Sequence, residues 1–410
     1  MTEKELTFPK NKINILLLEN VHQAAADRLK EAGYNVEQSS SSLTEDELME
    51  KIQDVHVLGI RSKTKVNANH FSVAKKLLSV GCFGIGTNQV DLNAAAIHAV
   101  PVFNAPYGST RSVAELAIAH ALCLARRIGD ANQNLHNSFW DKSAKGSHEV
   151  RGKTFGIIGY GHIGQQVGLL AESMGMKVIF YDQTKRLALG NAEVKETMAD
   201  LLKEADYVSL HVPAQPNNAA LIGAKELALM KDSAVLINLG RGTLVDFAAL
   251  KNAIQNKALA GAGIDVYPSE PKGNKEEFKC ELAGVENVML TPHLGGSTEE
   301  AQYSIGIEVA TSFIKFIDSG CTVGAVNFPQ VDLPFCPNSH RILNIHKNVP
   351  GVLTEVNKII SDLGANINSQ YLGTYKDIGY LVMDIAEGLS GEVKDHIAAL
   401  PNNIKTRMLY

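Results

Sequence analysis

Gly159-Tyr160-Gly161-His162-Ile163-Gly164 follows the apolar run Phe155-Gly156-Ile157-Ile158 and opens a helical pattern that reaches about Met174. With 34 glycines in 410 residues, this three-glycine spacing arises by chance about 0.2 times per chain, so alone it is weak. The strand before it and the helix after it sharpen the reading. Glycines there let the backbone turn tightly and approach a pyrophosphate, which rests on the free N–H groups of the helix N-terminus. The next strand, Val178-Ile179-Phe180-Tyr181, ends in Asp182. A carboxylate about 20 residues past the glycines accepts hydrogen bonds from a ribose 2′-hydroxyl and repels a 2′-phosphate, which points to NAD rather than NADP.

Strand-like runs continue at Tyr207 to Val212, Ala234 to Asn238, Gly263 to Val266 and Val288 to Leu290, with helix-length stretches between most of them. They make a doubly wound parallel sheet. The N-terminal part repeats the pattern. Ile13 to Leu18, Val55 to Ile60 and part of Leu77 to Ile85 read as strands, and Val21 to Ala32 as a helix stopped by Gly33. A second α/β lobe of flavodoxin type is expected there. Between the two series, Ser112-Val113-Ala114-Glu115 has the form of a capping box opening a helix to about Arg127. That helix is apolar nearly all round, which fits a buried core helix and a subunit interface equally.

The chain changes character after Asn327-Phe328-Pro329. Val331 to Ser339 reads as a linker. Beyond it, Arg341 to His346, Asn366 to Gly373, Gly379 to Ile385 and Ile404 to Leu409 read as strands, and Gly351 to Leu363 and Val393 to Leu400 as helices. The order βαββαβ is that of a small ferredoxin-like domain.

Bulk properties narrow the function. Hydrophobic residues make up 45% and charged residues 20%, as in ordinary globular chains, and the net charge of -5 offers no general attraction for nucleic acid or an anionic membrane. The cysteines, Cys82, Cys123, Cys280, Cys321 and Cys336, are scattered, without metal-ligand spacing, and read as reduced thiols. MTEKELTFPKNK lacks the apolar core of a signal peptide, and Val113 to Ala125 is too short to span a bilayer. A cytoplasmic enzyme without a metal is expected.

Three ionisable residues each follow a strand of the second series: Arg241 in Asn238-Leu239-Gly240-Arg241-Gly242, Glu270 in Tyr267-Pro268-Ser269-Glu270-Pro271, and His293 in Thr291-Pro292-His293-Leu294-Gly295-Gly296. Ligands of open α/β sheets bind outside the carboxyl ends of the strands, so the three converge on one crevice. Their chemistry suits hydride transfer at a 2-hydroxy acid. The imidazole takes the hydroxyl proton, the carboxylate fixes its tautomer and stabilises the imidazolium, and the guanidinium forks onto the substrate carboxylate.

With these residues placed, the run from Gly152 through His293 resembles the D-isomer-specific 2-hydroxyacid dehydrogenases, and so does the segment Asn104-Ala105-Pro106-Tyr107-Gly108-Ser109-Thr110-Arg111-Ser112-Val113-Ala114-Glu115. Most of residues 10 to 330 is covered. The resemblance implies a discontinuous substrate-binding lobe over 1–107 and 300–330, a Rossmann cofactor lobe over 108–299, a linker over 331–339 and a module over 340–410. It also implies NAD contacts at Gly159, Gly161, His162, Ile163, Gly164, Asp182, Leu239, Gly240, Arg241, Asp265, His293, Gly295 and Gly296.

Within that family, Gly84-Ile85-Gly86-Thr87-Asn88-Gln89-Val90-Asp91 and Thr291 to Thr298 are similar to bacterial members that act on D-3-phosphoglycerate. The tail, through Ile345-His346-Lys347-Asn348-Val349-Pro350-Gly351-Val352-Leu353, resembles an ACT domain. The similarity implies L-serine as a feedback inhibitor at His346, Asn348 and Asn366, a homotetramer, and 2-oxoglutarate as a further substrate. Arg61, Ser62, Lys63 and Lys142 are the candidates for the substrate phosphate, with Lys142 open to acting across a subunit boundary.

Two departures stand out: Gly240 replaces the small hydroxyl residue of many relatives, and Cys336-Pro337-Asn338-Ser339 lacks the glycines of a flexible hinge. Two other readings remain at this level, a dehydrogenase of an unphosphorylated 2-hydroxy acid and a non-catalytic NADH-sensing co-regulator.

Overall fold

The computed structural model describes residues 8–215, 217, 219–271 and 275–409. Among these residues the chain forms two compact units, one built before Ser109 and after Ala301, the other from Ser109–Ala301. In the first unit β1 (Asn14–Leu17), β2 (Asn35–Gln38), β3 (Val57–Ile60), β4 (Ser79–Cys82) and β5 (Val102–Asn104) form a parallel sheet in the order β2-β1-β3-β4-β5. This is the flavodoxin order expected for the lobe. Both faces of the sheet are covered, since Ile15 and Leu17 join one core cluster while Leu16 and Leu18 join another. β3 and β4 are therefore buried at every position, and neither shows the apolar-polar alternation of a half-exposed strand. The edge strand β2 escapes the sequence reading, because Asn35, Glu37 and Gln38 are exposed and only Val36 is partly covered.

The C-terminal part of the chain completes this unit. Val309, Phe313 and Phe316, on the helix Glu299–Ser319, join the cluster of Ile15 and Leu17. Asn327 is buried and fastens β5: its side chain accepts from the Val102 N–H at 2.8 Å and donates to the Val100 carbonyl at 3.1 Å.

In the second unit β6 (Thr154–Ile158), β7 (Lys177–Tyr181), β8 (Glu193–Val194), β9 (Tyr207–Leu210), β10 (Val235–Asn238), β11 (Gly261–Ile264) and β12 (Val288–Leu290) run parallel in the order β12-β11-β10-β9-β6-β7-β8. The order reverses between β6 and β9, where a doubly wound sheet opens its ligand crevice. β8 has two exposed residues and no sequence signal.

The expected capping box at Ser112 does not form. The helix runs Thr110–Ala125 with Ser109 at its cap, and the Ser112 hydroxyl donates instead to the Gly295 carbonyl at 2.6 Å. Nor is that helix buried all round. Val113, Ala117 and Ala121 pack with Phe155 and Val178 of the sheet, while Arg111, Glu115 and Ala119 are exposed.

The tail forms an antiparallel sheet of β13 (Ser339–Lys347), β14 (Ile367–Tyr375), β15 (Ile378–Ala386) and β16 (Asn403–Leu409), in the order β14-β15-β13-β16. Alternate residues of β13 and β15 serve two cores. Ile342, Leu381 and Met383 pack against the helices Val352–Asp362 and Ser390–Ala398, whereas Leu343, Ile345, Tyr380 and Val382 share the cluster of Phe316 and Phe328.

The linker is not loose. Arg341, almost wholly buried, uses all five N–H donors: Nε and Nη2 bind the Asp384 carboxylate at 2.7 and 2.8 Å, Nη1 binds the Ser319 and Leu333 carbonyls, and Nη2 also binds that of Pro334. No helix among the described residues is long and apolar enough to cross a membrane.

Removing one partner of a buried, fully bonded ion pair costs about 3–5 kcal/mol, because the other charge is stranded. Arg341→Ala is therefore expected to lower the thermal midpoint of the unit that holds the tail by several degrees. The double change Arg341→Met with Asp384→Leu is expected to lower it less. Calorimetry on the three proteins checks the ranking.

Candidate active site

Each glycine of the strand-to-helix turn has its own reason. Gly159 has φ 94, and a Cβ there would stand 2.5 Å from the His211 carbonyl oxygen. At Gly164 a Cβ would overlap the Gly159 carbonyl oxygen, so the helix could not lie this close to β6. Gly161, which caps the helix His162–Ser173, faces nothing within 4 Å. The protein gives no steric reason for that glycine, and a pyrophosphate lying over the helix N-terminus would.

At the end of β7 the Asp182 carboxylate accepts from the N–H of Tyr160 at 2.9 Å and of Thr184 at 2.8 Å, and from the Thr184 hydroxyl at 2.9 Å. Burial raises its pKa, but the Thr184 and Tyr160 hydrogen bonds outweigh this and hold it below the usual value. These residues fit a dinucleotide with a free 2′-hydroxyl.

The loops after β10, β11 and β12 bring Arg241, Glu270 and His293 together. His293 Nδ1 lies 2.8 Å from Glu270 Oε2 and 3.1 Å from Oε1. A carboxylate only accepts, so Nδ1 carries the proton and Nε2 is left for chemistry. The Glu270 hydrogen bond raises the His293 pKa against the opposing effect of burial. Glu270 itself is pushed up by burial and pulled further down by His293, Tyr267 and Arg241. Arg241 donates from Nη1 to the Gly240 carbonyl at 2.7 Å, and burial lowers its pKa while the Glu270 charge works the other way.

Several residues that hold this arrangement were not singled out from the sequence. Asn238, buried at the end of β10, donates to the Arg241 carbonyl at 2.9 Å and accepts from the Gly240 N–H at 3.1 Å. A Cβ on Gly242 would overlap the Tyr267 carbonyl, so only glycine lets the Arg241 loop lie against the Glu270 loop. The Tyr267 hydroxyl donates to the Thr291 carbonyl at 2.9 Å, which ties the Glu270 loop to the His293 loop. Asp265, read as a cofactor contact, is 1% exposed and accepts from the Thr291 hydroxyl and the Leu294 and Gly295 N–H groups. The one available signal was position, a carboxylate directly after β11. Leu239 and Gly240 fall on the loop after β10, and Gly295 and Gly296 on the loop after His293.

Arg61, Ser62 and Lys63 follow β3 in the other unit. The Glu19 carboxylate fixes that turn by accepting from the Lys63 and Thr64 N–H groups at 2.9 and 2.7 Å, and the Gln89 amide donates to the Arg61 carbonyl. Lys142 is exposed on a coil in the Ser109–Ala301 unit.

The three effector candidates are not gathered within one chain. His346, buried near the end of β13, bonds through Nδ1 to Asn344 Oδ1 at 2.8 Å, and Asn348 donates to the Lys376 carbonyl at 3.0 Å. Asn366 lies at the opposite end of the sheet, where its carbonyl accepts from the Ala386 N–H, and Ala386 pairs with Ser339. At about 3.3 Å per residue along β13, His346 and Asn366 are roughly 23 Å apart.

Residues 118–295 match the model for the D-isomer specific 2-hydroxyacid dehydrogenase NAD binding domain, and residues 342–405 match that for the AHAS small subunit-like ACT domain. The chain is 52% identical over 404 residues to D-3-phosphoglycerate dehydrogenase of Dictyostelium discoideum, covering 98% of this chain and 99% of the relative. To D-3-phosphoglycerate dehydrogenase of Escherichia coli (strain K12) it is 50% identical over 409 residues, covering 99% and 100%. Among solved structures it is similar to D-2-hydroxyisocaproate dehydrogenase, with 26% identity and a TM-score of 0.69 over 77% of this chain and 100% of that one. D-lactate dehydrogenase from Aquifex aeolicus, complexed with NAD and lactic acid, gives 27% identity and a TM-score of 0.65 over 74% and 95%.

Two glycine variants separate cofactor contact from packing. Gly161→Ala is expected to weaken NADH binding about tenfold with thermal stability unchanged, since its Cβ meets no protein atom. Gly164→Ala is expected to lose about 1–3 kcal/mol of stability as well, because the helix must lift off the strand. Fluorescence titration with NADH and a thermal melt on each variant read the two effects separately.

Proposed function

The chain belongs to the D-3-phosphoglycerate dehydrogenase family, within the D-isomer specific 2-hydroxyacid dehydrogenases, and from that premise we propose how its residues carry the reaction. It is an NAD-dependent oxidoreductase that converts D-3-phosphoglycerate to 3-phosphohydroxypyruvate. NAD, held by the glycine turn before the helix His162–Ser173 and by Asp182, would supply the hydride acceptor for C2. His293 Nε2 takes the proton from the C2 hydroxyl, since Nδ1–H is committed to Glu270. Glu270 keeps the ring in that tautomer and stabilises the imidazolium. Arg241 forks onto the substrate carboxylate and polarises the C2 oxygen. The observation that carries this reading is the His293–Glu270 bond at 2.8 Å beside a desolvated arginine.

Gly159, Gly161, His162, Ile163, Gly164, Asp182, Leu239, Gly240, Asp265, Gly295 and Gly296 are assigned to the cofactor, with Asp265 acting by holding its loop. The substrate phosphate is assigned to Arg61, Ser62 and Lys63, and separately to Lys142. The Arg61 and Lys63 side chains form no ion pair among the described residues, where Glu19 meets only the backbone of Lys63 and Thr64, which leaves their charge for an anion. Residues 1–107 and 300–330 then serve as the substrate lobe, 108–299 as the cofactor lobe, 331–339 as the linker and 340–410 as the effector module. The enzyme stands in the cytoplasm at the entry to L-serine synthesis and also reduces 2-oxoglutarate. L-serine is its feedback inhibitor, recognised by His346, Asn348 and Asn366. The wide separation of Asn366 from the other two favours a serine held between two copies, and so an assembly, which we take to be a homotetramer.

The deciding experiment is the initial rate of NADH oxidation with 3-phosphohydroxypyruvate, with and without millimolar L-serine. Rapid turnover suppressed by serine is the expected result. Turnover indifferent to serine would strip the tail of its sensing role, and no turnover with NADH still bound would overturn the substrate or the catalytic reading.

The pH dependence has a definite sign. Oxidation needs neutral imidazole, and Glu270 raises the His293 pKa, so kcat/KM for D-3-phosphoglycerate should climb through a pKa above the ordinary value of about 6.5. In Glu270→Gln that limb should move to lower pH while kcat falls at least about tenfold. A limb that stays in place would remove Glu270 from this role.

A further inference from the structure

Behind the loop that carries His293 lies a second histidine that the reaction does not use. His120 is 1% exposed, on the buried face of the helix Thr110–Ala125, among Ala117, Ala121 and Leu124. Its Nε2 lies 3.3 Å from the Thr291 hydroxyl, and that hydroxyl lies 2.6 Å from Asp265 Oδ1. Donor counting fixes the direction of both bonds. Asp265 already accepts from the Leu294 and Gly295 N–H groups at 2.7 and 2.9 Å, so the one hydroxyl hydrogen of Thr291 also goes to it. Toward His120 the hydroxyl oxygen is therefore the acceptor, and Nε2 carries the imidazole proton.

The other ring nitrogen shows what this arrangement gives up. Among the described residues His120 Nδ1 is buried with no hydrogen-bond partner, and a Cβ at Gly263 of β11 would stand 2.5 Å from it. A buried acceptor left unpaired is destabilising, and an aliphatic side chain would avoid it. The polar gain at this position is the bond to Thr291. That bond removes rotational freedom from the hydroxyl and polarises it toward Asp265.

The chain of contacts ends at a residue that needs holding. His293 has φ 54, in the left-handed region that a residue with a Cβ seldom occupies. Its neighbours Leu294 and Gly295 are pinned by the two oxygens of Asp265.

We propose that His120 is a positioning residue: acting through the Thr291 hydroxyl, it aims the Asp265 carboxylate at the Leu294 and Gly295 N–H groups and so holds the strained turn that presents His293 to Glu270. The inference rests on the reading of His293 as the proton-transfer group and extends it one layer into the core. It assigns Thr291 a second task besides receiving the Tyr267 hydroxyl at its carbonyl.

The test compares His120→Leu, His120→Gln, Thr291→Val and Thr291→Ser in the full-length enzyme. Initial rates with NADH and 3-phosphohydroxypyruvate are measured across pH, and NADH affinity by fluorescence. His120→Leu is expected to lower kcat about tenfold, with KM for the keto acid and NADH affinity within about twofold, because a misaimed proton donor slows chemistry without weakening binding. Its pH limb should move down, since the Asp265 charge helps raise the His293 pKa and would be held less firmly. Gln places an amide donor where Nε2 stood, so His120→Gln should recover kcat to within about threefold of the wild type. Thr291→Val should reproduce the loss and Thr291→Ser should not.

Equal losses in His120→Leu and His120→Gln would overturn the proposal in favour of ring shape. Wild-type kcat and pH profile in His120→Leu would make His120 a core filler. If His120→Leu fails to fold, as loss of NADH binding would reveal, the Thr291 pair decides by the same criterion. His293→Asn is carried alongside: turnover surviving in that variant would sink the role of His293, whereas a dead His293→Asn beside a fully active His120→Leu would sink this inference alone.

Discussion

Parallel strands all end on one edge, and the site depends on that constraint more than on any single contact. In the sheet of the Ser109–Ala301 unit, β10, β11 and β12 are neighbours running the same way. Arg241, Glu270 and His293 each sit shortly beyond one of these ends, so the sheet gathers them without any of the three being close in sequence. Strand spacing brings loops within reach, but it does not align side chains to the tenths of an ångström that proton transfer needs. Cross-ties do that: Asn238 within the first loop, the close approach of Gly242 to Tyr267 between the first and second, and the Tyr267 hydroxyl between the second and third.

The difference between what could and could not be read in the sequence follows from this division. Central strands buried on both faces, such as β3, β6 and β10, carry mostly apolar runs without polar alternation, and the glycine turn after β6 has a fixed spacing. Charged residues just beyond such runs could therefore be placed on one edge. Two edge strands, β2 and β8, could not be read. β2 is mostly exposed and β8 is a pair of exposed residues, so neither carries a hydrophobic period. Side-chain ties between loops have no period at all, and Tyr267 or Asn238 looks like any loop residue until its partner is known. Ser112 shows how a local motif can mislead. Its spacing to Glu115 suits a cap, but Gly295, distant in sequence and near in space, takes its hydroxyl.

The effector candidates teach the reverse lesson. His346, Asn348 and Asn366 are close in sequence, yet a sheet register puts Asn366 beside Ala386 and Ser339, at the far end from His346. Sequence proximity across a strand-helix-strand connection says little about distance when the strands are nine residues long.

The shared core beneath the tail sheet has a consequence for anyone wishing to shorten this protein. Leu343, Ile345, Ile378, Tyr380 and Val382 form one wall of a cluster whose other wall includes Phe316, Phe328 and Val331. Amputation at the linker would hand that second wall to water. It would also strip the Ser319 and Gly320 carbonyls of the Arg341 and Tyr380 donors they now receive. An uncovered apolar face of that kind is a template for aggregation. A minimal catalyst cut from this chain would need a resurfaced lobe before it could remain in solution.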